Sequence, residues 1–87
     1  MKILWTPLFE RDFLLLPAAI QKRVEKSLRL LETDSRHPSL HAKKIKGTDG
    51  VWEARASLSY RITYEVSGGT LVLRRVGTHD ILEKESR

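Results

Sequence analysis

Val51-Trp52-Glu53-Ala54-Arg55, Tyr60-Arg61-Ile62-Thr63-Tyr64 and Leu73-Arg74-Arg75-Val76-Gly77-Thr78-His79-Asp80 are the stretches that decide the fold. In the first, Trp52, Ala54, Ala56 and Leu58 alternate with Glu53, Arg55 and Ser57. In the second, Tyr60, Ile62, Tyr64 and Val66 alternate with Arg61, Thr63 and Glu65. A period of two marks a strand with one buried face. Ser57-Leu58-Ser59 is the expected reversal between these strands. Gly68-Gly69 is a stronger turn signal, because glycine accepts positive φ, and it leads into a third strand over Thr70 to Val76. The polar tail from His79 to Ser86 is compatible with a short helix or with a mobile end.

Upstream the period lengthens to about 3.6. Lys2-Ile3-Leu4-Trp5 reads as a short first strand. Thr6 then supplies a hydroxyl cap and Pro7 a first helical residue. Phe9, Phe13 and Leu16 share one face, with Glu10, Arg11 and Asp12 mostly opposite. Pro17 interrupts this helix and opens a second. Its apolar stripe is Ile20, Val24, Leu28 and Leu31, with Lys22, Arg23, Lys26 and Arg29 directed outward. The polar run from Thr33 to Pro38 ends it, and residues up to Gly50 read as a loop. The predicted order is β-α-α-β-β-β: an α+β domain in which an N-terminal helical hairpin packs on one face of an antiparallel sheet, the other face being partly open.

The 87 residues make one small domain, 1–87, with no repeat, linker or low-complexity segment. A chain this short buries only roughly 60–65% of its unfolded surface. There is no cysteine, which excludes a disulfide, a thiolate metal site and a cysteine nucleophile. The apolar runs are far shorter than a membrane span, and the start meets Pro7, Glu10, Arg11 and Asp12 too soon for a signal peptide. These features predict a cytoplasmic protein with no membrane association.

The net charge is +5 and the pI about 9.9. The charge is uneven: residues 1–47 carry ten basic and five acidic side chains, residues 48–87 six of each. Ser35 to Gly47 holds Arg36, Lys43, Lys44 and Lys46 and no acid. Such a patch attracts phosphates or an acidic protein, or is simply a solvated loop.

The alternation sets Glu53, Arg55, Arg61, Thr63 and Glu65 on the face away from Trp52, Tyr60, Ile62 and Tyr64. Glu53, Arg55 and Arg61 are then cross-strand neighbours. From the residues alone this is either a surface ion-pair ladder, worth about 0–1 kcal/mol per pair, or an anion site. His79, at the end of the third strand, is either an exposed or capping histidine or a general acid or base. Asp80 either orients it or caps the tail. His37 and His41 are four apart, but Pro38 between them argues against the helix that would bring them together, so no metal site and no other cofactor is expected. No phosphate-binding loop, dinucleotide fingerprint, serine triad or zinc knuckle is present. Trp5 and Trp52 read as core.

In order and length these motifs resemble the RelE/ParE superfamily of bacterial toxin–antitoxin toxins. The resemblance runs over nearly the whole chain: the first strand, the Phe9 to Leu31 helix pair with Leu16-Pro17 at its elbow, Lys43-Lys44-Ile45-Lys46-Gly47, Trp52-Glu53-Ala54-Arg55, Tyr60-Arg61-Ile62-Thr63-Tyr64 and Val76-Gly77-Thr78-His79-Asp80. It implies the toxin of a type II pair, acting as a metal-independent endoribonuclease that cuts mRNA on the ribosome. The superfamily also implies two alternatives: a ParE-type inhibitor of DNA gyrase, or a degenerate toxin that only binds its antitoxin. Under the ribonuclease branch Arg61 stands at the family's arginine and would contact the scissile phosphate. His79 stands where members carry arginine or histidine and would protonate the leaving oxygen. Lys43, Lys44 and Lys46 would hold RNA phosphates. Glu53 and Arg55 lie where some members carry lysines, with Glu53 the candidate base and Arg55 an RNA contact. The tail lacks the aromatic residue that several members stack on an mRNA base; either Ile81 and Leu82 take that contact or it is absent. The implied partners are an antitoxin, mRNA and the ribosome.

Overall fold

The computed structural model describes residues 1–85; Ser86, which the tail expectation included, and Arg87 lie outside the described residues. The elements are β1 (Lys2–Trp5), α1 (Pro7–Leu14), α2 (Ala18–Thr33), β2 (Lys43–Lys44), β3 (Trp52–Arg55), β4 (Tyr60–Ser67), β5 (Thr70–Thr78) and α3 (Ile81–Glu85). One five-stranded sheet has the order β1-β5-β4-β3-β2.

Local chemistry sets the boundaries. Thr6 caps α1, its hydroxyl accepting from the Phe9 N–H at 3.2 Å and donating to the Leu73 carbonyl at 2.7 Å, so the cap also ties α1 to β5. The Gln21 side chain donates to the Phe13 carbonyl at 2.9 Å, beside the Leu16 N–H at 3.1 Å, and so ties α2 to the end of α1. Gly68 and Gly69 take φ of 53° and 79°, as a tight hairpin between β4 and β5 requires. The apolar faces of α1 and α2 meet the sheet in one core: Phe9, Val24 and Leu31 against Ala54, Ile62, Tyr64, Leu71, Leu73 and Val76, closed at one end by Leu40.

Three features differ from the sequence expectation. The sheet is antiparallel from β2 to β5, but β1 adds parallel to β5, with Lys2 opposite Thr70 and Trp5 opposite Leu73. A parallel neighbour needs a long crossover, and the helical hairpin with strands β2 to β4 supplies it. Second, Lys43 and Lys44, expected in a loop, form an edge strand paired with Glu53 and Trp52. Third, β5 runs two residues past Val76, because Gly77 and Thr78 pair with Arg61 and Tyr60.

The register between β4 and β5 shifts once: Tyr64 lies opposite Leu73 and Thr63 opposite Arg75, so Arg74 is the additional residue of a bulge. β1 stops at Leu73, and α1 takes over along the remaining edge of β5. There Asp12 accepts from the Val76 N–H at 3.2 Å and from Arg75 at 2.8 and 3.2 Å. The face expected to be open is partly covered by α3. Ile81 and Leu82 join Ile45 and Val51 in a second small core, and Glu85 pairs bidentately with Arg74 at 2.8 and 3.1 Å. Gly77 permits this approach, since a Cβ there would lie 3.0 Å from the Ile81 Cγ2. No helix among the described residues is long and apolar enough to cross a membrane.

Candidate active site

The sheet face next to α3 ends in a cleft of about 350 Å³ lined by His41, Ala42, Lys43, Glu53, Arg55, Arg61 and His79. Pairing builds it. Lys43 of β2 lies directly opposite Glu53 of β3, and Arg55 of β3 directly opposite Arg61 of β4. His79 follows the last residue of β5 and closes one side.

Arg61 is held by its own neighbourhood. Its Nη1 donates to the carbonyls of Ser57, Leu58 and Tyr60 at 3.0, 3.1 and 3.1 Å, so the turn between β3 and β4 grips one corner of the guanidinium. Its Nε lies 3.9 Å from the Glu53 Oε1, with both side chains close to nine-tenths covered. The Nε–Nη2 edge is the part of the fork that the turn does not engage.

Arg55 faces Arg61 across the strands, an arrangement of like charges that costs stability unless something negative lies between them. Its Nε is buried and has no hydrogen-bond partner among the described residues. Three cations, Lys43, Arg55 and Arg61, thus surround one carboxylate, Glu53. The excess positive charge suits an anion with several oxygen acceptors.

The other expected site residues fall elsewhere. Lys44 lies opposite Trp52, one residue out of phase with Lys43, and its ammonium sits 5.8 Å from the indole centroid. Lys46 lines an adjoining hollow with His79, Asp80 and Leu82. Ile81 and Leu82, left by the sequence to contact a base, are buried against Ile45 and Val51. Trp52 is half-buried against the core, whereas Trp5 sits at its rim, edge-on to Phe9 and Phe13 at 4.9 and 5.0 Å. His37 Nδ1 accepts from the Ser39 N–H at 3.2 Å and caps the short turn at Pro38–Leu40. Among the described residues no three His, Asp or Glu side chains converge on a point that would hold a metal ion.

His41 was weighed in the sequence only as a metal ligand. It stands two residues before Lys43 in a left-handed turn rather than a strand, so no local period marks it as that lysine's neighbour. Its φ is 47°, which costs a non-glycine residue on the order of 1 kcal/mol.

Comparison with known proteins places this architecture. The sequence profile described as the ParE toxin of the type II toxin–antitoxin system parDE matches residues 3–82. Toxin RelE3 of Methanocaldococcus jannaschii is 33% identical over 78 residues, covering 87% of this chain and 88% of that protein. The toxin fold in the RelB–RelE antitoxin–toxin complex from Methanococcus jannaschii superposes with a TM-score of 0.75 at 28% identity, over 93% of this chain and 95% of that one. A YoeB/ParE toxin from Agrobacterium tumefaciens, with a TM-score of 0.79 at 22% identity over 91% and 99% of the two chains, shares the fold. The chain belongs to the ParE toxin family of type II toxin–antitoxin systems, within the RelE/ParE superfamily.

Proposed function

We propose that this toxin is an mRNA interferase: a metal-independent endoribonuclease that cuts mRNA on the ribosome and is held inactive by a cognate antitoxin in the cytoplasm. One observation carries the reading. Lys43, Arg55 and Arg61 converge with one carboxylate and His79 in a single cleft, and the Nε of Arg55 is buried without a partner. The likeness to Toxin RelE3 and to a RelE in complex with RelB supports it.

The chemistry is transesterification. The ribose 2′-oxygen forms a bond to the adjacent phosphorus, the bond from phosphorus to the 5′-oxygen breaks, and a 2′,3′-cyclic phosphate remains. Negative charge grows on the non-bridging oxygens as phosphorus becomes five-coordinate. The Nε–Nη2 edge of Arg61 and the positive charge of Arg55 offset that charge, and because the turn carbonyls fix Arg61 in advance, little reorganisation is needed. His79 gives the leaving 5′-oxygen a proton. Lys43 and Lys46 hold flanking phosphates; Lys44, on the other sheet face, does not reach them. Glu53, the base expected from the sequence, is 8% exposed and 3.9 Å from Arg61, a position that suits a counter-ion steadying Arg61 better than a base meeting a 2′-hydroxyl.

The test is cleavage of mRNA in a purified translation system. Arg55→Met and Arg61→Lys are expected to cut about 10²–10³-fold more slowly than the wild type, the loss typical of a missing transition-state donor. Both should still melt cooperatively above the assay temperature, which separates lost chemistry from lost fold. The family profile favours one rival, a ParE-type gyrase inhibitor. Gyrase-dependent DNA breaks with intact mRNA would establish that rival and end the ribonuclease reading.

A further inference from the structure

The reaction above leaves the 2′-hydroxyl proton without an acceptor. We infer that His41 is the general base of this cleft: its imidazole takes that proton while His79, on the far wall, gives one to the leaving oxygen. The inference rests on the ribonuclease reading.

Topology carries it. In the order β1-β5-β4-β3-β2, His79 leaves the end of β5 and His41 leads into β2, with Arg61 of β4 and Arg55 of β3 between them. Three strand spacings, about 14 Å, separate the two backbones, and both residues line the same cleft, one at each end of that strand order. Displacement at phosphorus puts the entering and leaving oxygens on opposite sides of the atom. A proton acceptor on one wall, a donor on the other and two guanidiniums between them match that requirement.

The backbone supports the same assignment. Among the described residues His41 is the one non-glycine residue with positive φ, at 47°. The turn that holds it is anchored by fully buried Leu40 and by the His41 N–H, which donates to the Pro38 carbonyl at 3.2 Å. His41 closes the turn at Pro38–Leu40 in the left-handed region, which histidine tolerates better than most residues, so the turn fixes the point from which the imidazole departs. The charged groups that face it are Lys43 of β2, Glu53 and Arg55 of β3, Arg61 of β4 and His79, with Arg36 and His37 along the groove on its other side.

Proton flow balances. One His41 nitrogen gains the 2′-hydroxyl proton, His79 loses one to the 5′-oxygen, and solvent resets both. The experiment uses the purified toxin with ribosomes, ordinary mRNA, and an mRNA whose scissile 5′-oxygen is replaced by sulfur. A thiolate leaves without a proton, so that substrate needs a base and no acid. His41→Asn keeps a residue that tolerates the left-handed turn and should cut both substrates 10²-fold or more slowly. His79→Ala should be slow on ordinary mRNA and near wild type on the sulfur substrate. The acidic limb of the pH–rate profile should vanish in His41→Asn, and added imidazole should partly restore His41→Gly. If His41→Asn cuts within threefold of the wild type while Arg61→Lys does not cut, the assignment of His41 is overturned and the ribonuclease reading stands. Recovery of His41→Asn on the sulfur substrate would likewise overturn it, by making His41 an acid. A wild-type protein that cuts neither substrate ends both.

Discussion

Asp12→Ala should be among the most damaging single changes on the surface of α1. Asp12 takes three hydrogen bonds, two from the Arg75 guanidinium at 2.8 and 3.2 Å and one from the Val76 N–H at 3.2 Å. The Arg75 and Asp12 side chains are 23% and 14% exposed. An exposed ion pair contributes about 0–1 kcal/mol, and breaking a fully buried one costs about 3–5 kcal/mol. This pair lies between, and its loss also strips the acceptor from an edge N–H of β5, so about 2 kcal/mol is expected. With a urea slope of about 1 kcal/mol/M for a chain this small, the midpoint should fall by about 2 M. Melting should drop by roughly 8–16 °C. Asp12→Asn keeps an acceptor for Val76 and should lose about half as much. The double variant Asp12→Ala, Arg75→Met removes the stranded cation and should be more stable than Asp12→Ala alone. A midpoint shift below about 0.5 M, or a double variant less stable than Asp12→Ala, would refute the argument that this clamp closes the sheet edge.

Two further predictions concern pH. Burial pushes the Tyr64 phenol from its ordinary 10.0 to about 12. The neutral phenol is the folded form, so its contribution is complete below pH 10 and is lost between pH 10 and about 12, about 2–3 kcal/mol in all. Tyr64→Phe should therefore show a smaller alkaline loss in urea melts than the wild type, and equal losses would contradict it. The Glu85 carboxyl is pulled two ways: burial resists its ionisation, but hydrogen bonds from Arg74 and Thr63 and the charges of Arg74 and Arg75 outweigh that and hold it below the usual carboxylate range. Its stabilisation of α3 is thus present above that range and lost as pH falls through the lowered value. Thermal melts of the wild type and Glu85→Gln should differ at neutral pH and converge in acid; a difference independent of pH would sink the idea.

Much of the fold was legible because it is written in local periods and caps. Thr6, Pro7, the stripe from Ile20 to Leu31, the alternation through Trp52 and Tyr60, and Gly68-Gly69 each act on neighbours a few residues away. Those signals placed both long helices and the three central strands, and the alternation set Glu53, Arg55 and Arg61 on one face. Recognition of the motif order then gave the family. The site was legible only in part. Lys43 and Lys44 looked equivalent until the pairing of β2 with β3 sent them to opposite faces. Asp12 looked like a solvent-facing residue of α1.

The sequence by itself determined α1, α2 and the three strands from Trp52 onward, which sheet face is apolar, and where positive charge accumulates, because each depends on residue type at short spacing. The tertiary structure alone decided the parallel seat of β1, the Asp12 clamp on a strand more than sixty residues away, the covering of the second face by α3, and the closure of His41 and His79 on one cleft. The physical reason is that these depend on hydrogen-bond partners and buried contacts between segments distant in sequence, and no local period records which distant edge a strand, a carboxylate or an imidazole will meet.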